Sequence, residues 1–113
     1  MDHHRFHGKL VRVYPERTVP VAEVFGKPIP PEIDQVAESI KFCAEKGYVS
    51  GTVAKCVMVS RMGDCGLSRY LRSDHGYDLR MDPECLEIVS EEERPRLLHE
   101  YDVGRLHPDH RPR

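Results

Sequence analysis

The sequence predicts a small α+β domain in which a curved, mostly antiparallel sheet packs with one main α-helix. Three observations carry this. Between Gly51 and Val89, short apolar runs rich in β-branched residues alternate with turn residues. From about Pro31 to Lys46, apolar residues recur at the three-to-four spacing of an amphipathic helix. And 113 residues suffice for one core but not two, so residues 1–113 are read as a single domain.

Taken in order, residues 1–8 place His3, His4 and His7 among polar neighbours and are expected to be a flexible tail. Lys9–Tyr14 reads as the first strand, with Val11 and Val13 on one face and Leu10, Arg12 and Tyr14 on the other. Pro15 ends it. Glu16–Pro31 carries Pro20, Pro28, Pro30 and Pro31, which exclude a long ladder or helix. Within it Val21–Phe25 is short enough for one strand or one helical turn, stopped by Gly26, and its apolar residues are expected to pack onto the core.

The main helix is expected over about residues 31–46. Ile33, Val36, Ala37, Ile40, Cys43 and Ala44 form its stripe, with Pro31 in the first turn. Glu32 and Asp34 suit the positive end of its dipole, and Lys41 and Lys46 the negative end. Gly47 supplies a left-handed C′ residue and Tyr48 the apolar contact that accompanies it.

Thr52–Arg61 is apolar on both faces, which marks a central strand. Met62-Gly63-Asp64 is a turn, Cys65–Arg72 the return strand, and Ser73–Gly76 a second turn. Tyr77, Leu79 and Met81 then alternate with Asp78 and Arg80. Asp82-Pro83-Glu84 starts a tight turn of 3₁₀ character leading to a last strand, Leu86–Val89. Ser90 followed by three glutamates is a helix start, and Leu97, Leu98 and Tyr101 give a short C-terminal helix an apolar edge. Residues 104–113 are read as a second tail. The short strands, the turn and the closing DPECLEIV together resemble small SH3-like or KOW-type barrels over roughly Gly51–Val89, so an SH3-like partial barrel is expected. That fold hosts many functions and implies no activity.

Composition narrows the function classes. The net charge of −2 provides no global basic field for nucleic acid or anionic lipid. No apolar run approaches the ~20 residues of a membrane span, so no membrane partner is expected. Four cysteines (Cys43, Cys56, Cys65, Cys85) without a CxxC pair, and an N-terminal stretch lacking the apolar region of a secretion signal, point to reduced thiols and a cytoplasmic location.

The candidate motifs each have a plain structural reading. Gly63-Asp64-Cys65-Gly66 resembles the nucleophile turn of chymotrypsin-like cysteine proteases, but Leu67 stands where that family has a second glycine, and the chain is too short for two barrels. It is read as a turn with a packed cysteine, and no catalytic residue is assigned. His3, His4 and His7 have ligand spacing for Zn or Ni, with His107 and His110 as further donors should the termini meet. Cys65 and Cys85, both beside turns, are the cysteine pair to test for zinc. A helix-turn-helix over residues 31–72 is set aside, because Thr52, Val53, Val57 and Val59 favour a strand.

Arg61, Arg69, Tyr70, Arg72, Tyr77 and Arg80 form a candidate binding face, since arginines with interleaved aromatics grip phosphates and stack bases. Asp64, Asp74 and Asp78 dilute it. The function expected is therefore a non-catalytic interaction module, an accessory subunit or adaptor. It binds a protein partner, or a second copy of itself, through the barrel face or edge. A nucleic-acid-binding barrel is the alternative, and a metal-binding protein using the terminal histidines the third reading.

Overall fold

The structure, a computed structural model, describes residues 3–70 and 76–106, with side chains from Arg5 onward. Its five-stranded sheet comprises β1 (Leu10–Val13), β4 (Thr52–Val59), β5 (Cys65–Ser68), β6 (Leu79–Met81) and β7 (Leu86–Ile88). A separate two-stranded hairpin holds β2 (Glu23–Val24) and β3 (Lys27–Pro28), and the helices are α1 (Gln35–Glu45) and α2 (Arg94–Asp102). The strand order is β6-β5-β4-β1-β7, antiparallel throughout.

β4 is the central strand that its two apolar faces predict. On one face Val11, Val13, Ala54 and Cys56 join Cys65, Leu67, Leu79 and Met81 in the main core. On the other, Leu10 and Val53 meet Val89, Leu97 and Tyr101, which α2 brings over the sheet. The period-two alternation of β1 thus places Val11 and Val13 opposite Leu10, as expected.

Chain length forces the sheet to curl. β6 and β7 are opposite edges, yet only Asp82–Cys85 joins them, with a 3₁₀ turn at Pro83–Cys85. Four spacings of a flat sheet would separate the edges by about 19 Å, more than a tight connection of this length comfortably spans. Leu79 and Met81 from one edge and Leu86 from the other accordingly meet in the same core. The expected partial barrel is instead an open sheet, because no pairing joins β6 to β7 among the described residues.

The helices correct the expectation in detail. α1 begins at Gln35, four residues after Pro31, because Asp34 caps it: Asp34 Oδ1 accepts from the Ala37 amide at 3.0 Å. Its C-terminus ends as the sequence predicts. Gly47 has φ +82°, its amide donates to Ala44 O at 2.9 Å, and the Tyr48 amide donates to Cys43 O at 2.8 Å, which is the Schellman pattern. Tyr48 is fully buried behind it. At α2, the Glu93 amide donates to Ser90 Oγ at 3.3 Å and the Arg94 amide to Ser90 O at 3.0 Å, so Ser90 starts the turn from which the helix grows.

Two segments depart further. Residues 3–8 are not a bare tail: His3–Phe6 forms a 3₁₀ turn that buries Phe6 in the main core, and the Gly8 amide donates to Cys56 O at 2.8 Å. A lone aromatic among polar residues has no periodicity to reveal this. Residues 19–30, expected to cover the core, leave it. The Phe25-Gly26 loop between β2 and β3 has φ +52° and +77°, the type I′ pattern of a tight hairpin, and Ile29 N–H donating to Ala22 O at 2.9 Å extends it. The Val21 amide donates to Gln35 Oε1 at 2.9 Å and Gln35 Nε2 donates to Val21 O at 2.7 Å, and the pair holds the hairpin's base to α1.

Candidate functional site

Of the arginine and tyrosine residues singled out in the sequence, Tyr77 and Arg80 are exposed neighbours joined by a side-chain hydrogen bond, while Arg69 is buried away from them. Arg69 is buried, its guanidinium 4.2 Å above the Tyr48 ring, donating to Gly47 O at 2.7 Å and Lys46 O at 3.1 Å. It satisfies the carbonyls that α1 leaves at its end and presents nothing to a ligand. Arg80 is exposed but paired with Asp64 at 2.7 Å. Tyr77, partly exposed, lies over Gly66, and Tyr70 O receives hydrogen bonds from Ser68 Oγ and Tyr101 Oη. Arg61 is exposed at the β4–β5 turn, and Arg72 lies outside the described residues.

The Gly63–Gly66 turn has a structural explanation at each position. Gly63 takes φ +94°, and Asp64 is tied to Ser60 by its side chain and by the Ser60 amide donating to Asp64 O at 2.9 Å. A β-carbon on Gly66 would stand 2.5 Å from Met58 Cγ and 3.0 Å from Tyr77 Cγ. Cys65 is wholly buried, and its hydrogen bond with Cys56, followed by burial, holds the thiol far above its ordinary range. A nucleophile needs the opposite setting.

The metal readings find no support in placement. His7 is exposed, while the side chains of His3 and His4, and residues His107 and His110, lie outside the described residues. All four cysteines are free and buried, and among the described residues no three His, Cys, Asp or Glu side chains are grouped to hold an ion.

One cleft of about 160 Å³ opens between α1, the Pro15–Arg17 turn and the β6–β7 connection. Thr18, Ser39, Cys43, Asp64, Arg80 and Cys85 line it. Thr18 Oγ1 is 2.7 Å from both Pro15 O and Ser39 Oγ, so its hydroxyl is already engaged. Burial raises the Cys43 and Cys85 thiols, which keeps them protonated at neutral pH. The space is below the roughly 300 Å³ at which small-molecule pockets begin. Asp82 also lines it, and burial, followed by the charges of Glu84 and Asp64, holds its carboxyl above the ordinary range.

What the structure does expose is apolar. Between β1 and β4 the chain leaves Val19, Val21, Val24, Phe25, Ile33, Ile40, Phe42 and Val49 open to solvent. Phe25 is 98% exposed at the hairpin tip, in a left-handed conformation that a bulky L-residue adopts only at a cost. The helix stripe predicted from sequence exists, but only Cys43 of it is buried. The sequence showed these apolar residues; what it concealed was that they face outward. Among the described residues, no helix is long and apolar enough to cross a membrane. In comparisons with family models, curated proteins and solved structures, none matches this chain.

Proposed function

We propose that the protein is a non-catalytic interaction module, a small accessory subunit or adaptor, that docks a protein partner through the apolar excursion between β1 and β4. The observation that carries the reading is Phe25: an aromatic side chain held 98% exposed on a two-residue turn in a conformation that favours Asn or Gly. Exposed apolar groups clustered along one stretch of chain mark interaction sites, and strain of this kind persists where a surface is put to use. The sheet edges offer less, since β6 and β7 are three residues each and one sheet face is covered by α2. The strand order, with a 3₁₀ turn before the last strand, further supports an SH3-like reading of the sheet, in which the excursion is a long insertion between the first two sheet strands.

The test is recovery from the native source of wild-type chain and of Phe25→Asn, each with whatever protein is retained. A partner held near stoichiometry by the wild type and depleted at least about tenfold with Phe25→Asn fits loss of a buried aromatic anchor. Equal retention by both chains refutes the assignment to this surface.

A further inference from the structure

We infer that the cleft beside α1 seats one lysine side chain of the protein partner, an assignment that rests on the interaction-module reading. The walls divide by chemistry. Phe42, Cys43 and Met81 give an apolar flank, and Thr18, Ser39 and Asp82 a polar one. Asp82 stands at the start of the Pro83–Cys85 turn, where an aspartate commonly caps with its side chain. Here it makes no such bond. The Cys85 amide donates to Asp82 O at 3.0 Å instead, and among the described residues no cation pairs with the carboxylate. Burial and the charges of Glu84 and Asp64 disfavour its ionised form, which is the condition an incoming cation relieves. Ser39 supplies a second acceptor. Thr18 has one hydroxyl proton and two oxygens at 2.7 Å, of which Pro15 O can only accept. The Thr18 proton therefore goes to Pro15 and Ser39 donates to Thr18, which leaves the Ser39 oxygen able to accept.

Size, lining and charge select the occupant together. A cavity of about 150 Å³ holds one benzene molecule, so this cleft, at about 160 Å³, has room for one unbranched side chain and not for a peptide segment. Lysine, a four-carbon stem ending in a compact ammonium, matches an apolar flank leading to one free carboxylate. Arginine asks for a carboxylate to fork, and Asp64, the other acid of the wall, is already held by Arg80 at 2.7 Å. Asp64, Asp82 and Arg80 together leave the wall one negative charge short of neutrality, which one ammonium supplies. The chain's own Lys46 lies 5.5 Å from the Phe42 ring and is not part of the wall. Position ties the cleft to the docking surface. Thr18 adjoins exposed Val19, and Phe42, 53% exposed, belongs both to the wall and to the apolar surface. A partner lying on that surface passes over the mouth of the cleft.

Titration of the full chain with Nα-acetyl-lysine N-methylamide, followed by amide resonances, tests this. The norleucine analogue, which keeps the stem and lacks the charge, runs alongside. Expected is a saturable shift at the Thr18, Ser39 and Asp82 amides with the lysine derivative and none with norleucine. Asp82→Asn, which removes no contact within the domain, should remain folded by circular dichroism and bind the lysine derivative at least about tenfold more weakly. No saturable shift by about 100 mM overturns the inference, as does an equal response to norleucine; both readouts use wild type and need no variant. Partner retention separates a partner's lysine from a free alkylamine. Depletion of the partner by Asp82→Asn supports the lysine, whereas undiminished retention beside an intact titration assigns the cleft to a free alkylammonium and overturns the inference. Phe25→Asn should titrate as wild type. Partner loss with Phe25→Asn but not with Asp82→Asn leaves the docking surface standing without the lysine. Equal retention by wild type and Phe25→Asn removes the docking reading without touching an Asp82-dependent titration.

Discussion

Replacing Arg69 with Met should cost about 3 kcal/mol of folding stability, although the residue was singled out as a surface contact by sequence. The guanidinium makes two charge-assisted hydrogen bonds, to Gly47 O at 2.7 Å and Lys46 O at 3.1 Å, and stacks 4.2 Å from the Tyr48 ring. It is only 4% exposed. Each such hydrogen bond contributes about 1.5–3 kcal/mol and the ring contact about 1 kcal/mol. Removing the charge also relieves its desolvation, and its Nε has no hydrogen-bond partner, which together offset part of the sum. Met retains the apolar stem over Tyr48, so the loss isolates the head group. A net ~3 kcal/mol corresponds to a fall in Tm of roughly 10–15 °C for a chain of this size. Urea denaturation should show a lower midpoint at unchanged slope, and hydrogen exchange should accelerate at the Gly47 and Tyr48 amides. Arg69→Lys, which keeps the charge but not the fork, should lie between. A loss below about 1 kcal/mol with unaltered exchange would falsify the view that Arg69 closes the end of α1.

Three further outcomes follow from the same geometry. Arg12 Nη2 lies 2.5 Å from Glu93 Oε2, and that hydrogen bond, with the Arg12 charge, holds the Glu93 carboxyl below its ordinary value of 4.5. A depressed folded value means the contribution is present above 4.5 and lost as pH falls through the folded value. Stability measured from pH 7 downward should therefore drop less steeply for Glu93→Gln than for wild type. Gly66→Ala should cost about 1–3 kcal/mol by overpacking Met58, and Met58→Ala in the same chain should recover part of it. All four thiols should be silent to an aromatic disulfide reagent in the folded protein at neutral pH and react in denaturant, since Cys43, Cys56, Cys65 and Cys85 are buried; one fast thiol in native conditions would reopen the question of a reactive cysteine.

The fold was legible in the sequence wherever it depends on local chemistry. Alternation sorted Val11 and Val13 from Leu10, two apolar faces marked β4 as central, and Gly47-Tyr48 announced the end of α1. Asp82-Pro83 announced the 3₁₀ turn. Long-range pairing was not legible. Nothing local says that β1 lies between β4 and β7, or that Arg69 reaches back to carbonyls 22 and 23 residues away. The arginine face therefore loses Arg69, which is buried at the end of α1, while Tyr77 and Arg80 remain exposed neighbours. The apolar residues of 19–44 failed differently. An apolar stripe says that a helix or hairpin seeks a partner, and it is silent on whether the partner is the chain's own core.

That ambiguity makes Phe25 the decisive residue. If the hairpin existed only to connect β1 to α1, its turn should be occupied by Asn-Gly, which adopts positive φ at both positions without strain. Phe25-Gly26 instead keeps an aromatic at φ +52° with 98% of its surface in water, so it gains nothing from burial within the domain. Phe25→Asn should then stabilise the isolated chain by about 0.5–1 kcal/mol, because it relieves left-handed strain and removes no packing. A raised Tm together with lost partner retention would separate stability from function at a single position. If Phe25→Asn lowered the Tm, the aromatic would be contributing to the fold through a contact within the domain, and the exposed tip would lose its standing as a binding element.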